Sequence, residues 1–153
     1  MLKNSLLTNF GSKAFFYEIF HDLKADDEAT KNQFILKLFE KCGSNLPSFD
    51  LTLLGLGDDG HTASLFPYQK NNNADDFVIF NEGKGLKRIS LTPKVLSASS
   101  KIVFLVSGAN KRIALERLLD EKESIDRTPS KLIKSINQIS IFCDQDSAKE
   151  LEI

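Results

Sequence analysis

Phe49-Asp-Leu-Thr-Leu-Leu-Gly-Leu-Gly-Asp-Asp-Gly-His61 is the stretch that decides the fold. Its first half is a short apolar run set off by the turn residues Asn45 to Ser48, and its second half places glycines at 55, 57 and 60. Such a run, bounded by turn signals, suits a strand covered on both faces, as in a parallel sheet. A loop leaving the carboxyl end of such a strand is where an open α/β sheet binds its ligands. Glycine there lets the backbone approach a ligand closely. Into the same turn the chain puts Asp58, Asp59 and His61. An imidazole with a carboxylate two residues away makes a general base whose partner holds its tautomer and orientation. Blander readings stand beside it: Asp-Gly marks ordinary turns, and a histidine there can simply cap the next one. As a metal set, two acids and one imidazole lack a second His or Cys nearby, so no metal is expected.

Outward from this loop, the chain alternates helices and strands. Asp26 and Asp27 open a helix with Ile35, Leu38, Phe39 and Cys42 on one stripe and Gly43 as its stop. Val78 to Phe80 and Arg88 to Thr92 read as short strands around Gly83 and Gly85. Lys101-Ile-Val-Phe-Leu-Val-Ser107 is the clearest strand, leading through Gly108 into a helix with Ala114, Leu115, Leu118 and Leu119 inward. A short helix near Ser130 to Lys134, a strand from Gln138 to Phe142 and a last helix after Asp144 complete the pattern. Met1 to Phe10 has helical spacing without a cap, and Ala14 to Phe20 fits either a strand or an irregular connection. Strand, helix, strand in this order implies a parallel sheet. The expectation is a single α/β domain over residues 1–153, an open and mostly parallel Rossmann-like sheet with helices on both faces.

Composition narrows the function. The 153 residues carry 20 Lys plus Arg against 21 Asp plus Glu, a net charge of −1, which does not suit a broad nucleic-acid or anionic-lipid surface. No apolar run approaches the roughly 20 residues of a membrane span. The first residues also lack the apolar stretch of a secretory leader. Cys42 and Cys143 form no CxxC pair and fit a reduced, cytoplasmic protein. The expected partner is therefore a small molecule. Twelve Phe against two Tyr and no Trp call for a sizeable core.

Gly55-Leu-Gly-Asp-Asp-Gly-His-Thr-Ala-Ser-Leu-Phe-Pro67 resembles the signature of the 6-phosphogluconolactonases, in the superfamily that also holds the glucosamine-6-phosphate isomerases. The resemblance continues in Arg88-Ile-Ser-Leu-Thr-Pro93, in Val103-Phe-Leu-Val-Ser-Gly-Ala-Asn-Lys111 and from Pro129 to the Ile141-Phe-Cys-Asp144 end. It implies hydrolysis of 6-phosphoglucono-δ-lactone without metal or organic cofactor. His61 would activate the water and Asp59 would orient the imidazole. Gly57, Gly60 and Thr62 of the signature would line the substrate. The isomerases continue their Asp-Gly-His with Ile-Ala-Phe-Asn-Glu, whose glutamate belongs to an acid–base relay. This chain has Phe66 at that place, and a phenyl ring cannot transfer a proton.

Ser107-Gly-Ala-Asn-Lys111-Arg112 begins a helix after the clearest strand. Cations in a first turn face the positive end of the helix dipole unless an anion sits there. For an arbitrary helix, solvation is the commoner explanation of such side chains, but the family places a phosphate-contacting lysine in its matching Gly-x-x-Lys. Lys111 is the expected phosphate ligand and Arg88 a second cation. The family chain is longer: a Ser-Gly-Gly phosphate loop and an Asp-Glu-Arg segment of its amino-terminal half have no counterpart here. The expectation is a chain lacking that half, prone to self-association and weakly active alone. A non-catalytic sugar-phosphate-binding remnant is the alternative.

Overall fold

The computed structural model describes residues 27–42, 45–71, 76–149 and 151. The segments Met1 to Phe10 and Ala14 to Phe20, and Gly43, lie outside these residues. In chain order the elements are α1 (Asp27–Cys42), β1 (Thr52–Gly55), β2 (Val78–Gly83), β3 (Leu86–Leu91), α2 (Pro93–Ser97), β4 (Ile102–Val106), α3 (Arg112–Leu119), β5 (Ile139–Cys143) and α4 (Gln145–Ala148). Short 3-10 turns occupy Ala109–Lys111 and Pro129–Leu132.

The α/β class and the parallel sheet are as expected. β4, the clearest strand in the sequence, is central, with β1 and β5 parallel on its two sides. Register places Leu54 beside Phe104 and Phe104 beside Ile141, so alternate residues of the three strands share a face. On that face Leu54, Ile102, Phe104 and Val106 are buried against Leu96 of α2 and Ala114 and Leu115 of α3.

The other face differs from the reading of β1 as a strand covered on both sides. Leu53, Leu105 and Phe142 are 59%, 52% and 64% exposed. Both faces of these strands are apolar in sequence, as suits a two-sided sheet, yet among the described residues the cover lies on one side only. Leu119, expected inward, is also half exposed, because α3 ends there and its buried stripe is Ala114 and Leu115. The short helix near Ser130 is a four-residue 3-10 turn opened by Pro129.

β2 and β3 form a separate antiparallel hairpin, turned at Lys84 and Gly85. Pairing puts Ile79, Asn81, Gly83, Arg88 and Ser90 on one face and Val78, Phe80 and Ile89 on the other. α1 packs Phe34 and Leu38 on Val78 of the second face, and Lys31 Nζ reaches Asp76 at 2.8 Å. The first face is left for the glycine loop after β1. Among the described residues no helix is long and apolar enough to cross a membrane.

Candidate active site

The loop after β1 closes on itself. Gly57 N–H donates to the His61 carbonyl at 2.7 Å and Gly60 N–H to the Gly57 carbonyl at 3.0 Å. Gly60 sits at φ +93°, where an L side chain is strained, and a Cβ would lie 3.1 Å from the Thr128 backbone. Its carbonyl accepts from Ser130 N–H at 3.1 Å, which ties the loop to the Pro129 turn. Thr62 is 1% exposed, and its hydroxyl donates to the Gly55 carbonyl at 2.8 Å. In this structure Thr62 braces the loop from within. Ala63 follows in the left-handed region at φ +50°, a strained conformation of the kind that clusters at functional sites.

Within this frame Asp59 and His61 are held together. Asp59 Oδ1 accepts from the His61 backbone N–H at 3.0 Å and stands 2.5 Å from His61 Nδ1. Partial burial raises the Asp59 carboxyl, but the backbone N–H, the ring hydrogen bond and the charge of His61 outweigh it and hold the group below its usual value. An ionised carboxylate only accepts hydrogen bonds, so the proton on Nδ1 faces Asp59, and it is Nε2 that is left for other partners. The pair sets an imidazole against a carboxylate fixed beside it. The His61 side chain is 22% exposed and that of Asp59 43%.

Two contacts fix the plane of the ring. A Cβ at Gly57 would lie 2.0 Å from His61 Nδ1, so glycine alone fits there. The Phe66 ring also packs on the imidazole, with centroids 4.8 Å apart and planes tilted by 41°. The sequence marks Phe66 only by the acid it replaces; its packing on His61 is set by the fold.

β1 and β4 are neighbouring parallel strands, so the loops at their carboxyl ends share one edge of the sheet. Lys111 lies on the β4 loop. Contrary to the sequence expectation, a 3-10 turn separates that strand from α3, which starts only at Arg112. Asp144 also holds this loop: its carboxylate accepts from the Ser107 hydroxyl at 2.6 Å, from Gly108 N–H at 3.0 Å and from Ser147 N–H at 2.9 Å. The Ser107 hydroxyl first, then Ser147 and Gly108, hold its carboxyl far below the usual range. The sequence showed Asp144 only as the start of a helix, since its reach of 36 residues back to Gly108 requires the pairing of β4 with β5. Arg88 is exposed and lies on the hairpin face that meets the glycine loop, beside Asn81, whose amide donates to the Ser64 carbonyl at 2.6 Å.

Comparison with known proteins bears on the family and the fold. The family described as glucosamine-6-phosphate isomerases/6-phosphogluconolactonase matches residues 1–141. A 6-phosphogluconolactonase of Synechocystis sp. is 33% identical over 131 residues, 85% of this chain and 54% of that protein. One of Haemophilus influenzae is 32% identical, over 80% of this chain and 54% of that protein. A 6-phosphogluconolactonase structure from Thermotoga maritima superposes at TM-score 0.67 and 26% identity, covering 80% of this chain and 53% of its own. The chain thus spans about half the length of the curated relatives it matches. A Shewanella baltica structure shares the fold at TM-score 0.75 and 23% identity, covering 93% of this chain and 62% of its own. The chain belongs to the glucosamine-6-phosphate isomerase/6-phosphogluconolactonase family.

Proposed function

We propose that this chain carries the hydrolytic site of a 6-phosphogluconolactonase, opening 6-phospho-D-glucono-1,5-lactone to 6-phosphogluconate in the pentose phosphate pathway. The observation behind the reading is the Asp59–His61 pair at the carboxyl edge of the sheet. His61 Nε2 takes a proton from water as the oxygen attacks the lactone carbonyl carbon. Asp59 balances the imidazolium that forms. The adduct then breaks the bond from that carbon to the ring oxygen, and the leaving oxygen recovers the proton from the imidazolium. Water is the only co-reactant this balance needs. Gly57 and Gly60 bring the loop backbone close to the sugar, with Thr62 behind them. Lys111 and Arg88 supply cations for the phosphate.

Phe66 supports lactone opening over aminosugar isomerisation, because it places a hydrocarbon ring on His61 where the isomerases keep an acid. Two free thiols, Cys42 and Cys143, and a net charge of −1 favour a cytoplasmic protein acting on a small molecule rather than on nucleic acid. One further reading is phosphosugar binding without turnover. Proton release from the lactone, corrected for spontaneous opening, tests both readings together with a titration of 6-phosphogluconate. Turnover above background supports the lactonase; binding without turnover selects the second reading.

The exposed face of Leu53, Leu105 and Phe142 also carries a proposal: a second copy of the chain covers it. Each side chain would contribute on the order of 1 kcal/mol on burial, given its partial exposure. Sedimentation at rising concentration should show association, and Phe142→Lys should abolish it.

A further inference from the structure

We propose that Gly83, in the hairpin and outside the catalytic loop, is a positioning residue for His61 and acts through Phe66. The inference rests on His61 being the base of the proposed reaction. Gly83 is buried at the end of β2, on the hairpin face turned toward the glycine loop. A Cβ built there would lie 2.1 Å from Phe66 Cζ, 2.3 Å from Cε2 and 2.7 Å from Cε1. All three atoms are the far edge of the ring that packs on the imidazole at 4.8 Å. The ring therefore needs an empty place at position 83 to lie where it does.

Retreat elsewhere is restricted. The hairpin and the loop around Phe66 are joined by Asn81 Nδ2 to the Ser64 carbonyl at 2.6 Å and by Ser64 N–H to Ser90 Oγ at 3.2 Å. Asn71 Nδ2 donates to the Phe66 carbonyl at 2.5 Å and its Oδ1 accepts from Asn81 at 3.0 Å. A methyl group at 83 cannot move the hairpin off the loop without breaking these bonds, so it displaces the ring. The ring in turn faces an imidazole that is also confined at Gly57, where a Cβ would lie 2.0 Å from Nδ1. Gly83, Phe66, His61 and Gly57 thus form one packed row across the site, with Asp59 setting the rotation of the imidazole within it.

The test is Gly83→Ala in the purified chain, read in two ways. The chain has two histidines, so a His21→Gln background leaves the ring of His61 as the only imidazole signal in NMR. Gly83→Ala should shift and broaden that signal, and should lower kcat about 10- to 100-fold with KM changed less than twofold, as for a misplaced catalytic group. Adding Phe66→Leu removes the three atoms the methyl meets and should recover at least threefold of the loss. An imidazole signal and kcat both unchanged in Gly83→Ala overturn the proposal. A double variant no better than the single, at equal melting temperature, overturns it too. If the parent chain shows no turnover, a displaced imidazole signal restored by Phe66→Leu still supports the positioning row, while the lactonase reading fails.

Discussion

Asp59→Asn is the perturbation that most cleanly separates the charge of this site from its shape. Asparagine is isosteric, and its Oδ1 can keep the bond from the His61 backbone N–H, 3.0 Å long in the parent. What disappears is the negative charge 2.5 Å from Nδ1. Two opposite unit charges at that separation attract by about 7 kcal/mol at an effective dielectric of about 20 and by about 1.7 kcal/mol in water. The two side chains are 22% and 43% exposed, which places the pair toward the aqueous end. A loss of about 2–3 kcal/mol of imidazolium stabilisation follows, or about 30- to 160-fold in kcat at about 1.36 kcal/mol per decade. An amide flip would instead set its NH2 against Nδ1 and move the proton to Nε2, at the cost of the backbone bond, which adds to the loss. The assay is proton release from 6-phosphogluconolactone with the spontaneous rate subtracted, alongside thermal melting. A fall of less than about threefold in kcat at unchanged melting temperature would refute the reasoning, because Asp59 would then be a turn residue.

Gly57→Ala brings a Cβ to within 2.0 Å of His61 Nδ1, so the ring must leave its place; kcat should fall by about 100-fold while 6-phosphogluconate still binds, measured by calorimetry. Lys111→Ala should weaken 6-phosphogluconate much more than gluconate, and equal losses for both would assign the residue to stability or to the sugar ring. Asp144 is held below its usual value, so it stabilises the fold above the ordinary Asp pKa of about 3.9, and that stabilisation is lost as pH falls through its lower folded value. Asp144→Asn should therefore lower the melting temperature at pH 7 and progressively less as the pH drops through the acid range. A melting difference that does not narrow in acid would place its origin in packing rather than in charge.

Much of the parallel core was visible in the chain because each strand carries its own signal. Ile102 to Val106 is a run of five apolar residues ahead of Ser107-Gly108, and it forms the central strand. The glycine loop was legible for the same local reason: Asp59 reaches His61 over two residues, a distance that sequence spacing describes directly. Contacts set by pairing between strands were not. Phe66 meets Gly83 only because the hairpin folds over the loop, and Asp144 meets Gly108 only because β5 lies beside β4. Burial was misjudged where apolar residues occupy both faces of a strand. Leu53 and Leu54 are adjacent and identical, yet one is 59% exposed and the other 6%. The spacing of α1 showed Leu38 but passed over Phe34, which the structure buries against Val78.

The most direct test of the central claim is the turnover of 6-phosphogluconolactone by the purified chain and by its His61→Ala variant, each corrected for spontaneous opening and each shown to melt cooperatively. If His61 Nε2 is the base, the corrected kcat falls by about 10²–10⁴-fold, the usual contribution of a positioned acid–base group. A corrected kcat equal in the two proteins would remove His61 from the chemistry.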